Sequence, residues 1–168
     1  LVQVEDGELK GVSPALARRL ADRIGARLEP VVYEGAGRVF EDADNDVWDI
    51  AFLAVDPLRA TRVTFSRPYH TIEATYAVRA NSNIAEPEDA DREGVSILAS
   101  LGSAYELYLR RALEHATLEH AANPGGCFEE FRAGRGDAAR AEGARALGAA
   151  LYRAMGDDAK ADALESAT

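Results

Sequence analysis

Residues 49–69, DIAFLAVDPLRATRVTFSRPY, decide how we interpret the whole chain. The run 48–55 is almost continuously apolar, which is typical of a β-strand covered on both faces in a parallel sheet. An Asp-Pro pair then turns the chain, and Arg59 follows at the carboxyl end of the predicted strand. Because ligands of α/β sheets bind at that end, Arg59 is a candidate partner for a carboxylate. Spacing alone leaves the alternative that Arg59 and Arg62 are ordinary surface charges.

Helix and strand patterns alternate on both sides of this stretch. We predict helices or helical turns at 13–27, 37–44, 102–116, 128–133, 143–155 and 159–167. We predict strands at 28–34, 48–55, 95–100, 117–120 and 137–141, with a further extended segment at 69–79. This order predicts an α/β fold with parallel-rich sheets flanked by helices.

Composition excludes several classes of protein. The chain has 168 residues, of which 47% are hydrophobic, and this is an ordinary globular balance. Its net charge of -10 argues against a nucleic acid as partner. A single cysteine, Cys127, excludes an internal disulfide. No apolar run reaches the roughly 20 residues that would span a bilayer.

Two features of the sequence resemble cofactor or metal sites, but neither pattern is specific enough to predict one. Gly35 and Gly37 follow a predicted strand, but Phe40 stands where a dinucleotide-binding loop needs its third glycine, so a tight turn is the better interpretation. The histidines, at positions 70, 115 and 120, lack the spacing of metal ligands. We therefore predict neither a cofactor nor a metal.

Three short motifs, in order, resemble the amino-acid-binding type of bacterial extracytoplasmic solute-binding proteins, which are the soluble receptors of ABC importers. In that family an Asp-led apolar run ends in T-P-E-R, and F-S-x-P-Y follows. Here Asp49 leads the run, Pro57-Leu58-Arg59 stands for P-E-R, and residues 65–69 (FSRPY) match completely. A Gly-Ser loop at 102–103 and a G-R-x-D-A element at 134–138 follow in family order. The similarity covers most of residues 5–142.

The resemblance implies a two-lobed periplasmic-binding-protein fold with the ligand between the lobes. It assigns Arg59 to the carboxylate of the ligand. It also assigns Gly102, Ser103 and Ala104 to the second-lobe loop that meets the same carboxylate. A physical reason supports that loop, because the free N–H groups and the dipole at a helix N-terminus favour an anion.

The resemblance also identifies residues with less typical side chains. Phe52, Ala54 and Asp56 occupy positions that line the first lobe's side of the cleft, where relatives often carry Ser, Thr or Gly. Glu142 falls where many relatives place an Asp that pairs with the amino group of the ligand. The alternative for Glu142 is a solvated charge at the start of a helix.

We expect four segments: lobe 1 at 1–78, a crossover at 79–94, lobe 2 at 95–142, and C-terminal helices at 143–168 that return to lobe 1. Compared with the family, we expect the strand before residue 5 to be absent and residues after 145 to be too few for the usual return strands. The fold is therefore expected to be incomplete.

The resemblance implies a monomeric, extracytoplasmic receptor that binds a small amino acid or related organic acid and delivers it to an ABC transporter permease. The chain begins in an acidic, polar stretch, so we expect no signal peptide within it. Two alternatives remain open. One is an enzyme on the same fold, similar to cyclohexadienyl dehydratase, with Glu142 as the proton donor. The other is the ligand-sensing domain of a larger receptor.

Overall fold

The computed structural model describes residues 2–141 and has a mixed α/β fold. The helices are α1 (Val12–Ile24), α2 (Ala36–Glu41), α3 (Ala104–Ala112) and α4 (Pro124–Arg132). The strands are β1 (Gln3–Glu5), β2 (Glu8–Lys10), β3 (Thr75–Val78), β4 (Ser96–Ser100), β5 (Thr117–Ala121) and β6 (Ala138–Ala141). We call residues 2–74 the first half and residues 75–141 the second half, because β3 is the first strand of the larger sheet.

The larger sheet has the strand order β3-β6-β4-β5. β4 runs parallel to both neighbours, with Ile97 opposite Leu118 on one side and Ala138 on the other. β3 is antiparallel to β6. The helices α3 and α4 provide the long connections that parallel strands need. The strands predicted at 95–100, 117–120 and 137–141, and the helices between them, are confirmed.

The central strand β4 is buried on both faces, as is usual for a strand with parallel neighbours on both sides. Ile97 and Ala99 pack with Leu109 of α3 on one face. Leu98 packs with Phe131 of α4 on the other face. Because successive side chains of a strand point to opposite faces, this one strand supplies both cores. The loop after β4 is therefore held firmly relative to α3.

The first half departs from its prediction at two segments. The predicted strands 28–34 and 48–55 do not pair with any strand within residues 2–141, so both predictions are wrong for the described part of the chain. The expected burial of 48–55 on both faces is wrong there as well, since Ile50 and Val55 are 56% and 59% exposed. An apolar run supplies the propensity for a strand, but a strand forms only where a neighbour receives its backbone hydrogen bonds.

The pairing of strand β3 determines where we place the boundary between the halves. Residues Thr75–Val78 pair with β6, so they belong to the larger sheet rather than to the segment that precedes it. We therefore propose that the crossover precedes Thr75, instead of lying at 79–94.

The predicted helices at 143–155 and 159–167 lie outside the described residues. Within residues 2–141, no helix is long and apolar enough to cross a membrane.

The packing of β4 predicts a large loss of stability when its central leucine is truncated. Leu98→Ala removes a fully buried side chain, and such substitutions typically cost about 2–5 kcal/mol. Leu101→Ala is the matched control, because Leu101 is 51% exposed and its truncation should change the free energy of unfolding by less than about 0.5 kcal/mol. Urea unfolding measures both, and equal losses would contradict the assignment of Leu98 to the core.

The cysteine of α4 should be chemically inert in the folded protein. Cys127 is buried against β4, and burial raises the pKa of its thiol to about 11. A raised pKa keeps the thiol protonated at pH 8, so its thiolate fraction falls about a hundredfold relative to an ordinary cysteine. We expect slow reaction with a disulfide reagent at pH 8 and immediate reaction of one thiol after denaturation. Equally fast reaction in both states would contradict the burial.

Candidate functional site

Asp56 orders the segment that leads into the turn of Arg59. The Asp56 carboxylate accepts a hydrogen bond from the backbone N–H of Leu58 through Oδ1 at 2.8 Å. The backbone N–H of Ala60 donates to the carbonyl of Asp56 at 2.9 Å. An Asp whose side chain accepts from the N–H two residues on forms an Asx turn, which orders the backbone locally. The short helical turn Arg59–Thr61 follows directly.

The Arg59 side chain is fully buried and joins the two halves. Nη1 donates to the carbonyl of Ala54 at 2.9 Å, in the first half. Nη2 donates to the carbonyl of Gly102 at 2.9 Å, in the loop after β4. The guanidinium thus lies between the segment that the sequence predicts as one side of the cleft and the loop that it predicts as the other side.

Two glycines allow this close approach of the halves. Gly102 has a φ of 68°, in the left-handed region that favours glycine, and a Cβ there would lie 2.6 Å from the Cα of Gly37. A Cβ on Gly37 would lie 2.9 Å from the carbonyl oxygen of Leu101. Gly37, which we predicted to lie in a tight turn, therefore allows the backbone of α2 to contact the backbone of the loop after β4.

A buried glutamate that the sequence analysis missed shapes the loop. Glu106 accepts a hydrogen bond from the N–H of Gly102 through Oε2 at 3.2 Å. Its Oε1 accepts from Nε of Arg110 at 2.9 Å and lies 3.1 Å from Nε2 of His120. The S-x-x-E spacing of residues 103–106 is the signal that could have identified Glu106, because it is typical of a capping box.

The loop at residues 102–104 is predicted to meet the carboxylate of a ligand, but most of its hydrogen-bonding groups are bonded within the protein. Glu106 accepts a hydrogen bond from the N–H of Gly102 in this structure, and the role of Gly102 in meeting a carboxylate stays a prediction. The Ser103 hydroxyl accepts from the N–H of Glu106 at 3.1 Å as the cap of α3, and the Ser103 N–H donates to Ser100 at 3.1 Å. Within residues 2–141, the N–H of Ala104 is left without a partner in this loop.

An ion pair also joins the two halves, close to Arg59 in the chain. Nη2 of Arg111, on α3, donates to Oδ2 of Asp56 at 2.8 Å. Asp56 is 3% exposed, so its carboxylate is removed from water and both of its oxygens are bonded within the protein. Asp56 was assigned to the lining of the cleft, and the structure places it at the junction in a structural pair. The five residues Asp56, Arg59, Gly102, Glu106 and Arg111 form what we call the junction cluster.

The other predicted site residues have different surroundings. Phe52 is exposed and meets the ring of Tyr69 edge to face, with centroids 5.9 Å apart and an angle of 88° between the rings. Ala54 contributes its carbonyl to Arg59. Glu142 lies outside the described residues. Within residues 2–141, no group of three or more His, Cys, Asp or Glu residues could hold a metal ion.

Several solved structures of binding proteins have the same fold as this chain. The cysteine-binding protein from Campylobacter jejuni superposes with a TM-score of 0.74 at 26% identity and covers 93% of this chain and 63% of its own. Holo ArgBP from T. maritima gives 0.75 at 21% identity, with 93% and 69% covered. An ancestral amino acid-binding protein, a precursor of cyclohexadienyl dehydratase, gives 0.73 at 24% identity, with 92% and 69% covered.

The chain therefore spans about two thirds of the length of these proteins, and its fold is the two-lobed α/β fold of periplasmic-binding proteins. No curated protein matches its sequence significantly. Residues 2–165 match the profile of the bacterial extracellular solute-binding proteins, family 3, which is nearly the whole chain. The resemblance carried by residues 49–69 is confirmed: the chain belongs to the bacterial extracellular solute-binding proteins of family 3.

Proposed function

We propose that this chain is the receptor of an ABC importer and binds a small carboxylate-bearing molecule at the junction cluster. The observation that carries the proposal is the position of Arg59, a buried guanidinium that donates to carbonyls of both halves. A carboxylate is a stronger acceptor than a carbonyl, so an entering carboxylate can exchange with the carbonyl of Gly102 at Nη2. The N–H of Ala104, at the start of α3, then lies on the other side of the loop as a further donor.

The geometry of the guanidinium supports an anionic ligand, because its planar fork of donors matches the two oxygens of a carboxylate. Charge-assisted hydrogen bonds contribute about 1.5–3 kcal/mol each, and two or three of them with apolar burial reach the ~8 kcal/mol of a micromolar complex.

The identity of the ligand follows from the side chains beside Arg59. Phe52 and Ala54 replace hydroxyl groups, so we propose that this side of the site offers apolar contact rather than hydrogen bonds. We propose that Glu142 binds an amino group, which makes the ligand an amino acid. Without that role for Glu142, the ligand is a related organic acid. Proteins of similar structure include a cysteine-binding protein and an arginine-bound protein, which supports an amino acid.

The remaining parts of the proposal follow from the family. Extracellular solute-binding proteins work outside the cytoplasm, so we propose an extracytoplasmic location and a permease as the partner of the closed form. We propose that the chain acts as a monomer, with residues 143–168 returning to the first lobe. Closure of the two lobes on the ligand then signals the permease, because a ligand shifts the equilibrium only toward the form that it binds better.

A dehydratase is the second candidate function. The observation that favours it is the similarity to an ancestral precursor of cyclohexadienyl dehydratase. Such an enzyme needs a carboxylic acid as proton donor, and we propose Glu142 for that role because Glu106 is already engaged by Gly102 and Arg110. Incubation with prephenate or arogenate separates the two functions. Formation of an aromatic product identifies the enzyme, and unchanged substrate supports the receptor.

Substitution of Arg59 tests the receptor directly. We first screen amino acids and small organic acids by thermal shift, since a ligand at about 100 times its Kd adds about 2.7 kcal/mol of stability. Arg59→Lys keeps the charge but loses the planar fork of donors, so we expect the best compound of the screen to bind at least about tenfold more weakly in calorimetry.

Arg62→Lys is the control, because Arg62 belongs to the same segment but pairs with Asp44 near the surface. We expect its affinity for the same compound to equal that of the wild type. Unchanged affinity in Arg59→Lys would remove Arg59 from the site. A screen in which no compound stabilises the protein would contradict the receptor function itself.

A further inference from the structure

We propose that Arg111 is a positioning residue that holds Arg59 in place through Asp56. The inference rests on the proposed role of Arg59, and it concerns a residue that the resemblance does not assign. The contacts run in one line: Nη2 of Arg111 donates to Oδ2 of Asp56 at 2.8 Å, and the N–H of Leu58 donates to Oδ1 of Asp56 at 2.8 Å. Arg59 is the next residue and the first of the helical turn Arg59–Thr61.

The burial of Asp56 separates this pair from ordinary surface ion pairs. The side chain of Asp56 is 4% exposed, whereas that of Arg111 is 47% exposed. Exposed pairs contribute little to stability because water and salt screen them. Removal of the cation from a buried carboxylate costs much more, because the charge is left in a medium that solvates it poorly. Loss of Arg111 should therefore weaken the hold of Asp56 on the segment that leads into the turn.

The same helix controls both sides of Arg59. Glu106 and Arg111 both lie on α3. Glu106 holds the N–H of Gly102, whose carbonyl accepts from Arg59, and Arg111 holds the turn that carries Arg59. A displacement of α3 relative to the first half breaks the contact of Arg111 with Asp56 and that of Arg59 with Gly102 together. Arg111 thus links the position of the Arg59 guanidinium to the relative position of the two halves.

The experiment uses the full chain without any ligand and two local readouts. Amide hydrogen exchange follows the turn at residues 58–63, and labelling with phenylglyoxal followed by mass spectrometry reports the accessibility of Arg59. Arg111→Ala should raise both by at least about tenfold, as expected for loss of one partner of a buried charge pair. Asp56→Asn keeps an oxygen for the N–H of Leu58 and leaves no buried charge, so we expect a smaller increase than in Arg111→Ala. Arg111→Lys restores a cation and should lie between wild type and Arg111→Ala.

Arg132→Ala is the matched control. Arg132 lies on the other helix of the second half, is 45% exposed, and pairs with Glu129 of its own helix. We expect it to leave the turn and Arg59 as in the wild type. If Arg111→Ala fails to fold, Asp56→Asn and Arg111→Lys carry the test.

Two results would overturn the proposal: exchange and labelling that do not change in the Arg111 and Asp56 variants, or that change as much in Arg132→Ala. Additivity gives a further check, because Arg111→Ala combined with Asp56→Asn should have no more effect than Arg111→Ala alone. Since no readout involves a ligand, failure here is distinct from failure of the thermal-shift screen, which bears only on the receptor function.

Discussion

The two hydrogen bonds from the Arg59 guanidinium to the carbonyls of Ala54 and Gly102 are the interaction on which the site depends. A fully buried guanidinium is costly unless polar groups replace its water. Here backbone carbonyls from both halves do so, which ties the charge to the relative position of the halves. We propose that an incoming anion uses the same guanidinium, whose planar fork of donors matches a carboxylate.

The backbone of the loop after β4 is almost fully committed to the protein. The N–H of Gly102 meets Glu106, its carbonyl meets Arg59, and its Cα lies against Gly37. Such a loop cannot shift without breaking several contacts at once, so it has few alternative arrangements. A ligand that replaces the carbonyl of Gly102 at Arg59 therefore changes the contact between the halves, which is the property that a receptor needs in order to signal occupancy.

The role of Arg59, which rests on a spaced motif, stays a prediction. The sequence was sufficient for the sheet of the second half, because its strand patterns alternate with helical patterns. It was not sufficient for Arg111, because two adjacent arginines on a helix indicate only a solvated face, and spacing does not show which distant carboxylate they meet. The predicted strand at 48–55 failed for a related reason: apolar residues give a local propensity, whereas pairing depends on another part of the chain.

The most direct measurement is a crystal structure of the protein with the compound that stabilises it most. Our account predicts that the carboxylate of this compound lies within hydrogen-bond distance of the Arg59 guanidinium, with Gly102 displaced from Nη2 and the N–H of Ala104 directed at the same group. A compound bound elsewhere, with Arg59 still joined to Ala54 and Gly102, would contradict the account.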